Sequence, residues 1–212
     1  CLPVLLRQIA NAHNHHLLFH ASSVVGEAGG AILMPGQSGS GKSTLGIALG
    51  YRGWRFLGDE FALYDLAGSG FVPLARPASL KNQSIASLKQ DVPSDRFSRI
   101  FHDTPKGTMA YLRPPTASLE AMDGAAPLSA VVFPRFVADQ EPGIRRYRKA
   151  EALVELTNAC VNFERLSEAA FDVLADWAER IPVFKITYPS IEKACEMICA
   201  IEAGLHESED AS

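Results

Sequence analysis

Eight consecutive residues carry the sharpest chemical signal: Gly36-Gln37-Ser38-Gly39-Ser40-Gly41-Lys42-Ser43. They fit the spacing Gly-x4-Gly-Lys-[Ser/Thr] at every fixed position. Glycines without a Cβ let backbone N–H groups converge on an anion, and a helix N-terminus behind them adds partial positive charge. In such a loop Lys42 reaches the outer phosphates of a nucleoside triphosphate, the Ser43 hydroxyl ligates magnesium, and Thr44 carries the cradle into the helix.

The second chemical feature is the pair Asp59-Glu60, which follows the apolar run Trp54-Arg55-Phe56-Leu57 and Gly58. A helix of about nine residues descends roughly 14 Å, and a strand of four or five residues climbs about as far back. The pair is therefore expected level with the glycine loop, at the carboxyl end of a neighbouring parallel strand, where such sheets bind ligands. Two carboxylates there suit magnesium ligation or a general base; in an ordinary turn they would be solvated surface.

The elements that must position these residues are short. Ala31–Met34 reads as a buried strand, and Ser43–Tyr51 as a helix stopped by Arg52-Gly53. Ala21–Val25 reads as a strand that turns through Gly26–Gly30 straight into Ala31, so a hairpin feeds the loop. Phe61–Leu66 and Phe71–Leu74 form a second hairpin, and Lys81–Lys89 a short helix. Residues 91–107 read as a polar loop long enough to be a lid. Further strands are expected at Thr108–Leu112, Leu128–Phe133 and Val183–Tyr188, and helices at 150–161, 167–180 and 190–204.

Composition bounds the rest. The 212 residues are 47% hydrophobic and 21% charged, with a net charge of −4, as expected of a globular chain. That charge disfavours general nucleic-acid binding, and no apolar run approaches membrane-spanning length. Cys1, Cys160, Cys195 and Cys199 have no CxxC or Cys/His pattern, so they read as small buried residues in a reducing cytoplasm. His13, His15 and His16 end an N-terminal helix and read as surface. Cys1 in place of Met suits a chain with a strand or domain ahead of it. The run Arg145, Arg146, Arg148 and Lys149 is either a solvated face or a dock for an acidic peptide segment.

The order of these parts resembles the HPr serine kinase family, including HPr-kinase-related proteins of biosynthetic gene clusters. The likeness runs from His20, at the opening of the hairpin, through the glycine loop and Arg52-Gly53 to Asp59-Glu60. HPr kinases carry Asp-Asp at the last position and phosphoenolpyruvate carboxykinases a related Gly-Asp-Asp, so Gly58-Asp59-Glu60 departs by one residue. Lys81-Asn82-Gln83-Ser84, Tyr111-Leu112-Arg113-Pro114-Pro115 and Val132-Phe133-Pro134-Arg135 look like later elements of the related kinases.

The resemblance implies an α/β fold: a P-loop-containing, HPr-kinase/PEP-carboxykinase-like mixed sheet flanked by helices. One domain would span 1–205, with a disordered tail at 206–212. It also implies ATP- and magnesium-dependent transfer of the γ-phosphoryl group to a serine or threonine hydroxyl. The acceptor would be a peptide or small protein, such as a biosynthetic precursor peptide, and the kinase cytoplasmic and homo-oligomeric. His20 would lie beside the transferred phosphate or the acceptor; by itself it reads as a strand cap bonded to a backbone carbonyl. Asp59 and Glu60 would divide magnesium ligation and base duty, in an order left open. Arg113, Arg135 or Lys81 would neutralise the transferred group. The alternatives are a small-molecule kinase, a P-loop NTPase switch and a nucleotide-binding module without chemistry.

Overall fold

A computed structural model describes residues 15–68 and 70–209, with side chains through residue 205. Apolar runs punctuated by Gly, Pro and Asn set its element order. The strands are β1 (His16–Phe19), β2 (Ala21–Val25), β3 (Ala31–Pro35), β4 (Arg55–Gly58), β5 (Ala62–Asp65), β6 (Gly70–Val72), β7 (Ala78–Lys81), β8 (Phe101–Thr104), β9 (Gly107–Leu112), β10 (Leu128–Phe136), β11 (Gly143–Arg146) and β12 (Val183–Tyr188). The helices are α1 (Lys42–Tyr51), α2 (Gln83–Leu88), α3 (Thr116–Glu120), α4 (Lys149–Ala159), α5 (Phe163–Arg180) and α6 (Ile191–Glu209).

A six-stranded mixed sheet, ordered β11-β12-β10-β3-β2-β4, forms the centre. Strands β3, β10 and β12 are parallel, whereas β2 is antiparallel to both β3 and β4. Alternation along the strands divides the core between the two faces of the sheet. Ile32 and Met34 of β3 pack with Leu45, Leu49 and Ile198 on the face covered by α1 and α6. Ala31 and Leu33 pack with Leu156, Leu174 and Trp177 on the face covered by α4 and α5. Each fully buried Leu, Ile or Phe contributes roughly 1.5–3 kcal/mol of transfer free energy. Phe19, Tyr64 and Phe71 close around Trp177, with ring centroids 5.5, 4.8 and 5.9 Å from it. Helix α1 approaches β2 closely because Gly46 faces Ser22: a Cβ there would fall 2.0 Å from the Ser22 hydroxyl oxygen.

The hairpin feeding the glycine loop is present as β2–β3, but it changes the expected geometry. Strand β4 runs parallel to β3 without neighbouring it, because β2 lies between them. Residues 91–107 are not a bare loop. They contain a 3-10 turn at Ser94–Arg96 and strand β8, anchored by buried Val92. The short helix expected over Lys81–Lys89 is present as α2, but Lys81 itself ends strand β7, which pairs with β9. Helix α5 begins at Phe163, four residues early, and breaks at Ser167, whose φ is 43°. Helix α6 runs on to Glu209, into the expected tail, as its Glu-rich end favours. Residues 1–14, with Cys1, His13 and most of the expected N-terminal helix, and residues 210–212 lie outside the described residues, whereas His16 and Leu17, expected at that helix's end, belong to strand β1, paired with β5. Among the described residues, no helix is long and apolar enough to cross a membrane.

Candidate active site

A cleft of about 850 Å3 opens where the glycine loop meets β7 and the β8–β9 turn. The register of β2 explains how the chain builds it. Because β2 is antiparallel, its first residue Ala21 pairs with Pro35 at the end of β3, so His20 stands level with the loop. On its other edge Ser23 pairs with Gly58, so Asp59 and Glu60 arrive at the same level. The inserted strand thus brings His20 and both carboxylates to the glycine loop.

Two loop glycines have conformations that other residues adopt only at a cost: Gly39 has φ 90° and Gly41 φ 94°. Gly36 and Gly41 also lack room for a Cβ, which would meet the Ser40 hydroxyl oxygen at 2.6 Å and Tyr188 Oη at 2.0 Å. The loop is braced from the far side of the sheet. The Ser40 carbonyl accepts from Phe136 N–H at 3.2 Å and from Tyr188 Oη at 3.2 Å. Burial pushes the Tyr188 phenol well above its usual range, so it remains a donor.

Lys42 is only 5% exposed, and its Nζ donates to the Gln37 carbonyl at 3.5 Å. Burial lowers its pKa, while the charges of Asp59 and Glu60 pull the other way. Asp59 is 3% exposed and accepts from Ser79 N–H at 3.5 Å. Burial raises its carboxyl, opposed by the Ser43 hydroxyl beside it. Among the described residues, buried Asp59 Oδ1 and Glu60 Oε2 have no hydrogen-bond partner. Unsatisfied buried carboxylate oxygens are costly, and cationic or proton-donating ligands relieve that cost.

Glu60 has φ 68°, a left-handed conformation costing roughly 1–2 kcal/mol for a residue with a side chain. In it, Glu60 Oε2 lies 3.6 Å from His20 Nδ1 and the Glu60 carbonyl 3.1 Å from the same nitrogen. A carbonyl only accepts, so Nδ1 carries the hydrogen and Nε2 of the neutral ring keeps its lone pair. Burial, and then the nearby Lys42, lower the His20 pKa. The plain reading of His20, a ring bonded to a backbone carbonyl, therefore describes one of its nitrogens, while the ring also lines the cleft.

The remaining expected residues divide. Gln37 and Ser40 shape the loop through the Ser40 N–H bond to the Gln37 carbonyl at 3.2 Å. Ser38, Ser43 and Thr44 line the cleft, and Thr44 Oγ1 donates to Ser84 Oγ at 2.9 Å. Lys81 enters from β7, its Nζ 3.3 Å from Ser38 Oγ. Arg113 is not brought there. Its carbonyl accepts from Tyr51 Oη at 2.7 Å, at the end of α1 away from the loop, and its N–H donates to the Arg96 carbonyl at 3.0 Å. The reason is strand direction: β9 is antiparallel to β7, so Met109 pairs with Lys81 and Leu112 with Ala78. The start of β9 faces the cleft, and Arg113 follows its end. Arg135 is exposed and does not line the cleft.

Cleft residues that the sequence did not single out include Lys106, Phe136, Tyr188 and Glu192. Lys106 had a signal, the Lys-Gly pair of a hairpin turn, which the reading as a lid loop obscured. The basic run is largely used internally. Arg145 and Arg148 lie 3.1 and 3.5 Å from Glu151, Arg145 also covers the Tyr147 ring, and Lys149 pairs with Glu179. Arg146 pairs with Phe184, toward the end of β12 away from Tyr188 and the cleft. Cys160 and Cys195 are buried as expected, whereas Cys199 is exposed. Among the described residues, no group of three or more His, Cys, Asp or Glu could hold a metal by itself.

No protein-family model matches this chain, and no curated protein matches it. Among solved structures, the Hpr(Ser) kinase/phosphatase from Coxiella burnetii is similar over 92% of this chain and 99% of that one. The sequence identity is 16% and the TM-score 0.42. A likeness at that level carries no argument about chemistry.

Proposed function

We propose that this chain is a kinase that transfers the γ-phosphoryl group of ATP, with magnesium, to a serine or threonine hydroxyl of a peptide or small protein. The observation that carries the reading is the meeting of Lys42 with buried Asp59 and half-buried Glu60 beside the glycine loop. Asp59 Oδ1 and Glu60 Oε2, without a hydrogen-bond partner among the described residues, are groups that a divalent cation and a proton-bearing hydroxyl would satisfy. Ser43 and Asp59 would hold magnesium, with phosphate oxygens completing a shell that this chain alone does not fill. When bound, magnesium neutralises charge on the outer phosphates.

Phosphoryl transfer asks a protein mainly for positioning and charge neutralisation. The glycine loop and Lys42 hold the triphosphate. Glu60, exposed to the cleft, accepts the proton of the attacking hydroxyl. His20 positions Glu60 for that role, its Nδ1–H donating to the Glu60 carbonyl at 3.1 Å. As the acceptor oxygen bonds to the γ-phosphorus, the bond to the β–γ bridging oxygen breaks and ADP leaves with the electron pair. Lys81 takes the charge-neutralising role for which Arg113 and Arg135 are misplaced. A peptide acceptor is favoured by β8, an edge strand whose following turn carries Lys106 into the cleft; an extended segment can add to such an edge.

The test is incubation with γ-labelled ATP, magnesium and a serine-containing peptide mixture, beside a panel of small hydroxyl compounds and an Asp59→Ala control. Label on peptide serine or threonine, lost in the control, is the expected result. Label only on a small compound would transfer the reading to a metabolite kinase. Brisk phosphate release regardless of acceptor would replace it with an NTPase.

A further inference from the structure

The reacting groups occupy only one flank of the glycine loop. His20, Asp59 and Glu60 arrive from the β2 and β4 side, whereas β10 and β12 lie on the other side of β3. A triphosphate whose outer phosphate faces Lys42 and Glu60 must leave its nucleoside at another part of the cleft. Two walls are available. Asn82, Gln83, Ser84 and Ser87 make a wall of small polar groups, already engaged in part through the Thr44–Ser84 bond. The end of β10 offers Phe136, a phenyl ring 43% exposed at the cleft.

Phe136 is exposed but firmly placed. Its N–H is bonded to the Ser40 carbonyl, and its ring lies 6.0 Å from that of Tyr188, which is itself 1% exposed. Its Cβ is 3.6 Å from the position a Cβ on Gly41 would take, so the ring stands directly beside the glycine loop. Among the described residues that line the cleft, it is the aromatic carbocycle that remains exposed, Tyr188 being buried. An open aromatic face costs free energy in water, and a planar heterocycle stacked on it recovers that cost.

We infer that Phe136 is the platform on which the nucleotide base stacks, making the β10–β12 flank the nucleoside subsite of this cleft. The inference rests on the reading of the loop as a triphosphate site. Every base presents a π-face, so a single stacking platform tolerates different bases. The subsite therefore binds purine nucleotides with little preference for the exocyclic groups of the base.

The experiment is calorimetric titration of ATP, GTP and inorganic tripolyphosphate, with magnesium, into the wild-type chain and into Phe136→Ala, Phe136→Leu and Phe136→Tyr. Alanine keeps the main-chain N–H that braces Ser40, so the loop is left in place. In Phe136→Ala, affinity for ATP and for GTP should fall roughly tenfold or more, while tripolyphosphate affinity stays unchanged. Tyrosine should restore nucleotide affinity, and leucine should recover only part of it. Equal weakening of all three ligands, or no weakening of any, overturns the subsite while leaving the triphosphate reading intact. A wild-type chain that binds none of the three overturns both.

Discussion

Replacing Gly41 with alanine tests the bracing of the loop from the far side of the sheet. With φ at +94°, a side chain at this position costs roughly 1–2 kcal/mol. The new Cβ would also stand 2.0 Å from Tyr188 Oη and 3.2 Å from its Cζ. Tyr188 is 1% exposed and has no room to swing aside, so its bond to the Ser40 carbonyl must stretch or break. That loss adds about 0.5–1.5 kcal/mol. The total, roughly 1.5–3.5 kcal/mol, corresponds to a fall in Tm of about 3–14 °C for a chain of this size. Thermal unfolding followed by circular dichroism measures it. A two-by-two cycle with Tyr188→Phe separates the parts, because removing the hydroxyl removes the overlap and leaves the backbone strain. The double variant should be less destabilised than the sum of the singles by about 1 kcal/mol. A Gly41→Ala protein melting within a degree of wild type would refute the reasoning, as would strict additivity in the cycle.

Other expectations follow from the same geometry. On the proposed kinase reading, Lys81→Met should lower the rate of phosphoryl transfer roughly 10- to 100-fold, the scale of one hydrogen bond to a charged group, and leave Tm almost unchanged. Arg113→Ala should change that rate by no more than a few fold; a larger loss would return Arg113 to the site. Because the His20 pKa is lowered in the fold, the unfolded chain takes up its proton first as pH falls. His20 should therefore cost stability progressively below about pH 6.5 and nothing above it. Denaturant titrations of wild type and His20→Gln at pH 8 and pH 5.5 should show the variant gaining relative stability only at the lower pH. On the kinase reading, changing Arg145, Arg146 and Arg148 together to Gln should leave acceptor KM within about twofold and barely move the melting temperature, because the lost Glu151 pairs are solvent-exposed.

The glycine loop was legible because its chemistry is contiguous: fixed spacing alone names Gly36, Gly41, Lys42 and Ser43. Asp59 and Glu60 were legible by matching helix and strand lengths, which fixes height along the sheet. Strand order is a different quantity, and nothing local to Trp54–Leu57 reveals that β2 separates β4 from β3. Arg113 shows the same limit from another side. A basic residue after a strand and before two prolines looks like the end of a strand at a site, yet an isolated strand carries no mark of its direction. Pairing with Lys81 decides it, and puts Lys106 where an arginine had been expected. Phe136 and Tyr188 were hidden because the pattern of a buried strand predicts which residues are apolar, not which end meets the loop.

The Ser40 carbonyl receives two donors, one from the end of β10 and one from the end of β12. A peptide plane held in this way cannot rotate to suit an incoming ligand, so the loop is shaped before anything binds. On the nucleotide-binding reading, little chain entropy would remain to be lost on capture. The same two bonds tie the loop to segments almost a hundred and a hundred and fifty residues downstream. The shape of the loop near residue 40 is thereby tied to the integrity of the last third of the chain.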